Sequence, residues 1–174
     1  LFTVFVLDCI VRFVRLYPME RVKHMKKIYL AGFDVFAPDA KQRGTKMKMM
    51  CAERGFIGLY PFDNEADHAP EIFAGNCSLI DQADIVIANL SPFRGDEPDS
   101  GTCFEVGYAF AKGKTVYGYV SDARTLREKL GEADENGFSV ENFGLPLNLM
   151  LSCAAQIVEG DFAKALAVCA AEQA

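Results

Sequence analysis

The chain has 174 residues, a length that favours one domain with a sizeable core. Hydrophobic residues make up 51% and charged residues 24%, which excludes a disordered or collagen-like chain. The net charge of −6 makes nucleic acid or an anionic membrane a poor electrostatic partner, and two histidines leave little for a His-based metal centre or triad.

Residues 1–17 are apolar but interrupted by Asp8, Arg12 and Arg15. A membrane span needs about 20 mostly uncharged residues, and no small-residue cleavage site follows, so neither a span nor a signal peptide is expected. The expected organisation is an N-terminal extension over 1–24, an upstream leader or an added amphipathic helix, and a functional domain over 25–174. The six cysteines form no CxxC pair, which argues against zinc and thioredoxin-like chemistry; scattered in this way, they suit a reduced, cytoplasmic protein. No metal or cofactor is expected.

In chain order, residues 27–31 (KIYLA) are a buried strand ending at Gly32. Residues 39–54 predict a helix with Asp39 as its N-cap and Gly55 as its stop. A second strand covers 56–60, closed by Pro61, and a helix covers 70–82. Residues 84–90 (DIVIANL) are the strongest strand in the chain, followed by a polar loop over 91–100. A helix over 101–112, a strand over 114–120 and a helix over 122–130 come next. After a polar loop over 131–144, an apolar helix over 145–154, a strand over 156–158 and a closing helix over 161–172 complete the chain. Strands alternating with helices at this spacing predict a flavodoxin-like, doubly wound α/β domain with a parallel sheet of about five strands. Ligands in such folds bind at the carboxyl ends of the strands, so the loops after Ala31, Leu90 and Val120 are the ones to examine.

The first of these loops, GFDVFAPDA from Gly32, contains one glycine and therefore neither GxGxxG nor a P-loop. Asp34 and Asp39 would repel a phosphate, while Phe33 and Phe36 offer apolar faces to a flat ring, or are core residues. The second is DSGTCFEVG, residues 99–107. Thr102-x-x-Glu105 fits a capping box, and Asp99 or Ser100 fits a helix cap. Alternatively, Glu105 points into the crevice as an ionised carboxylate able to attack a sugar carbon. Tyr29 lies in the first strand beside the same crevice, either packing or holding that carboxylate. Asn76 falls on the crevice side of its helix or on the surface. Asn148 stands alone among leucines in GLPLNLML and needs a polar partner.

Three stretches, KKIYLAG from Lys26, the run from Asp81 to Lys114, and GLPLNLML, together resemble the nucleoside 2-deoxyribosyltransferase family over roughly residues 26–158. The resemblance implies that Glu105 is a nucleophile toward the anomeric carbon of a 2'-deoxynucleoside, that Tyr29 positions it, and that Asp99 binds the sugar hydroxyl. It implies that Asn148 reaches a neighbouring subunit's site in a homo-oligomer, and that the partners are 2'-deoxynucleosides and free purine or pyrimidine bases. Gly32, Phe33, Asp34 and Phe36 fall in the base-binding loop. Asn76 stands where many members carry an aspartate that helps to protonate the leaving base. Two rival functions share these residues: a 2'-deoxynucleoside 5'-monophosphate N-hydrolase, which the acidic Asp34, Asp39 and Asp99 disfavour, and a non-catalytic nucleoside-sensing module.

Overall fold

A computed structural model describes residues 25–173; the expected extension over 1–24 lies outside the described residues. Five strands, β1 (Lys27–Ala31), β2 (Ile57–Leu59), β3 (Ile85–Asn89), β4 (Thr115–Val120) and β5 (Gln156–Glu159), form one sheet in the order β2-β1-β3-β4-β5. All four pairings are parallel. The expected doubly wound α/β fold is the one observed.

Among the described residues six helices connect and cover the strands: α1 (Ala40–Glu53), α2 (Ala69–Gln82), α3 (Ser100–Ala111), α4 (Leu126–Leu130), α5 (Leu149–Ala154) and α6 (Phe162–Glu172). Short 3-10 turns follow β1 and β2, at Phe33–Phe36 and Pro61–Asp63. Because strand side chains alternate faces, each strand feeds two cores. Ile28 and Leu30 of β1 join Cys51 of α1 and Leu166 and Cys169 of α6 on one face. Tyr29 and Ala31 point the other way, joining Ile80 of α2 and Val106 and Ala109 of α3. Every residue of β3 is buried, as a central parallel strand covered on both sides requires.

Three helices depart from the sequence reading for local reasons. The helix expected over 122–130 begins at Leu126, because Thr125 and Glu128 form a reciprocal capping box and Asp122 pairs with Arg124 instead. The helix expected over 145–154 begins at Leu149, because Asn148 caps it through its side chain, with Pro146 just upstream. Asp39 does stand at the start of α1 but makes no side-chain cap; its carboxylate takes a hydrogen bond from Arg43, one turn on. At Gly44 on α1, a Cβ would run into the ring of Tyr60, so the helix sits flush on the end of β2 because that position has no side chain.

Candidate active site

The carboxyl ends of β1, β2 and β3 open into a cleft of about 320 Å³ between the β1–α1 loop, the β2–α2 loop and the start of α3. Its chemistry sits on α3. Asp99 is the N-cap of that helix: one carboxylate oxygen accepts from the Thr102 backbone N–H at 2.9 Å and from the Thr102 hydroxyl at 3.0 Å. This corrects the capping-box reading of Thr102-x-x-Glu105. The cap is Asp99, and Glu105 is left free for another partner.

That partner is Tyr29. Its hydroxyl donates to Glu105 Oε1 at 2.6 Å, across 76 positions of sequence. Tyr29 is fully buried in β1, outside the cleft lining, so the phenol is held rigidly against Glu105. Burial, and next the adjacent carboxylate, hold its pKa well above the ordinary phenol value, so it stays protonated and donates. Burial also pushes the Glu105 carboxyl up to about 7; the Tyr29 hydrogen bond opposes that rise, and the charge of Asp99 adds to it. Oε1 is engaged while Oε2 takes no hydrogen bond from the described residues, which suits a carboxylate with one oxygen to offer an electrophile.

Of the other expected site residues, Gly32, Phe36, Asn76 and Asp99 line this cleft with Glu105. Gly32 is required there: its φ is 156°, and a Cβ would lie 2.8 Å from the Cβ of Asn89. Asn76 is partly buried, and its Oδ1 meets no partner. Phe33 and Asp34 are not brought into the lining. Phe33 stacks on Phe93, ring centroids 4.9 Å apart. Asp34 turns away, accepting from Asn89 Nδ2 at 3.0 Å and from Arg43 at 3.1 Å. Arg43 also bonds Asp39 at 2.8 Å, so neither aspartate stands unpaired as a barrier to phosphate. Asn148 lies apart from the cleft lining. Its Oδ1 accepts from the Met150 N–H and its Nδ2 donates to Glu141 at 2.7 Å.

Sequence reasoning missed the wall built by Pro61, Phe62, Asn64, Ala66 and Ile72. No motif marked it in the sequence; the observed strand order, with β2 beside β1, is what brings the loop after Tyr60 into the same crevice as the loop after Ala31. Asn64 fastens this wall, donating to the Glu71 carbonyl and accepting from the Ala66 N–H, in a space that exists because Gly75 has no Cβ. Among the described residues no group of His, Cys, Asp and Glu is arranged to hold a metal, and no helix is long and apolar enough to cross a membrane.

Residues 28–150 match the family model for nucleoside 2-deoxyribosyltransferase. The chain belongs to the nucleoside 2-deoxyribosyltransferase family. It is similar to the solved structure of a 2-deoxyribosyltransferase from Leishmania mexicana, with 39% identity, a TM-score of 0.78, and coverage of 86% of this chain and 99% of that one. A 2-deoxyribosyltransferase from Bacillus psychrosaccharolyticus, at 20% identity and a TM-score of 0.52, covers 78% of this chain and 87% of its own and shares the fold. An uncharacterised protein of Schizosaccharomyces pombe is 34% identical over 113 residues, 59% of this chain and 54% of its own; the chain thus spans about half the length of that curated relative.

Proposed function

We propose that this member of the family transfers the 2-deoxyribosyl group between nucleobases through a covalent ester on Glu105. The observation that carries the reading is the Tyr29–Glu105 hydrogen bond of 2.6 Å, which holds Glu105 in the lining of a cleft shared with Asp99 and Asn76. Glu105 Oε2 attacks the anomeric carbon, the C–N glycosidic bond breaks, and its electron pair leaves with the base. A proton from solvent or from a cleft group neutralises that base. In the second half, a nitrogen of the incoming base attacks the same carbon and the carboxylate departs. Two inversions give net retention. Asp99 keeps Oδ1 available for a sugar hydroxyl while Oδ2 is occupied by Thr102. Asn76, an amide, hydrogen-bonds a base but does not serve as a general acid.

Transfer is favoured over hydrolysis of 5'-monophosphates by the electrostatics of the lining. The described lining residues include the carboxylates of Asp99 and Glu105 and no lysine or arginine, and the guanidinium of Arg94 beside them is stacked over the Phe36 ring, which makes the lining a poor host for a phosphate dianion. A non-catalytic sensing role is disfavoured by the Tyr29–Glu105 pair, which pre-organises a nucleophile that mere binding does not need. The fit to the reduced, cytoplasmic setting of nucleoside salvage, and the homo-oligomer in which Asn148 meets a neighbour's nucleoside, belong to the same proposal.

Incubation with deoxyinosine and adenine, followed by chromatography, tests it. Deoxyadenosine and hypoxanthine are the expected products. Free deoxyribose alone would support hydrolysis, and no turnover would support sensing. Glu105→Ala should abolish turnover without unfolding the protein. A 2-deoxy-2-fluoro-arabinosyl nucleoside should add one sugar mass at Glu105, and a label found elsewhere would overturn the assignment.

A further inference from the structure

Asn89 ends the central strand β3 and, with Thr102, is a buried polar side chain among the described residues, with 7% of its surface exposed. Both ends of its amide are used, and each reaches a different loop. Nδ2 donates to Asp34 Oδ2 at 3.0 Å, on the β1–α1 loop that supplies Gly32, Val35 and Phe36 to the cleft. Oδ1 accepts from the Ser91 N–H at 3.2 Å, at the start of the β3–α3 loop that leads to Asp99. The Cβ of Asn89 also packs so close to Gly32 that no side chain fits there. A second tie joins the same two loops: Phe93 stacks on Phe33 and on Phe36 at centroid distances of 4.9 and 5.4 Å, with the Arg94 guanidinium over Phe93 and Phe36.

We infer that Asn89 is a positioning residue for the reaction: by clasping the β1–α1 and β3–α3 loops together it fixes the spacing between the Phe36 wall and Asp99, and so sets nucleoside affinity without touching the nucleoside. The inference rests on the transferase reading for its kinetic consequence, while the clasp itself is a property of the two loops. An amide is needed because the two partners have opposite polarity, a carboxylate acceptor on Asp34 and an N–H donor on Ser91. A buried amide left with either end unpaired forfeits stability and geometry together.

The test exchanges the polarity. Asn89→Asp keeps the shape and still accepts from Ser91, but sets a second carboxylate against Asp34. Hydrogen exchange should rise in residues 32–38 and 91–99, KM for deoxyinosine should rise about tenfold, the loss of roughly one hydrogen bond, and kcat should stay within threefold. In the double variant Asp34→Asn with Asn89→Asp, the amide and the carboxylate have traded places and the hydrogen bond re-forms with reversed direction. Protection and KM should then return to the values of Asp34→Asn alone. The clasp is overturned if exchange in both segments is unchanged in Asn89→Asp, if the double variant is no better than Asn89→Asp, or if kcat falls while KM holds. Wild type that exchanges as described but fails to transfer would overturn the transferase reading instead, and with it the kinetic role. The exchange data report on the clasp even then.

Discussion

At the scale of single residues, the proposed nucleophile carries a pH dependence set chiefly by its burial and opposed by the hydrogen bond from Tyr29. Glu105 must be ionised to attack, and burial has moved its pKa up to about 7, so kcat/KM should fall about tenfold per pH unit below that value and level off above it. A profile flat from pH 5 to 8 would contradict this. The same shift has a stability consequence of opposite sense. The folded protein holds the Glu105 proton more tightly than the unfolded chain, so the favourable contribution is complete below the ordinary carboxylate pKa of 4.5 and is lost as pH rises through about 7. Glu105→Gln mimics the protonated form and escapes the loss. Its melting temperature should exceed that of wild type by a margin that widens between pH 4.5 and 7, even though the variant is inactive. Tyr29→Phe removes the one interaction that lowers the Glu105 pKa. Its acidic limb should therefore move above 7, and kcat should drop about ten- to a hundredfold, the worth of a charge-assisted hydrogen bond. Local pattern left Glu105 open between a helix-start cap and a carboxylate held by Tyr29. Thr102-x-x-Glu105 satisfies a capping box as spelled, and only the placement of β1 beside α3 shows that Tyr29, not the helix start, claims the carboxylate.

At the scale of elements, the strands were the most legible part, because a central parallel strand must be apolar on both faces and DIVIANL is. Helix starts were less so: Asp39 and Asp99 were candidate caps, Asn148 lay inside an expected helix and Asp161 opened one. Three of them cap through their side chains; Asp39 does not, because Arg43 lies within reach of it. The β2–α2 wall was overlooked because its residues carry no charge and no motif; their role comes from the neighbouring position of β2 in the sheet. The packing of α1 on the end of β2 gives a prediction at this scale. Gly44→Ala forces a methyl into the Tyr60 ring, and such overpacking costs about 1–3 kcal/mol. Thermal unfolding should show the loss, while the acidic limb set by Glu105 stays where it is. A melting temperature at or above the wild-type value would show that Tyr60 yields easily.

At the scale of the whole molecule, the question is whether one chain makes a complete site. Asn148 lies outside the lining of its own cleft, with one N–H on Glu141 and the other without a partner among the described residues. If that amide serves a second copy's nucleoside, Asn148→Ala and Glu105→Ala chains, each weak or inactive alone, should regain activity when dissociated and reassembled together, because some sites then combine both intact residues. No recovery in a demonstrably mixed oligomer would confine Asn148 to capping α5. The placement of Asp99 also bears on how such a molecule changes over time. Asp99 and Glu105 ride on one helix, anchored by its own cap, and the Phe36 loop is tied to the segment leading into that helix by Asn89 and Phe93, whereas Phe62 hangs from a separate connection after β2. Mutation can redraw which base is admitted by exchanging the segment after β2, and the catalytic pair is carried through unaltered. Under the proposed transferase reading, catalysis and choice of base are then separately heritable, and a library confined to residues 61–68 should shift the ratio of purine to pyrimidine transfer while the pH profile set by Glu105 stays in place.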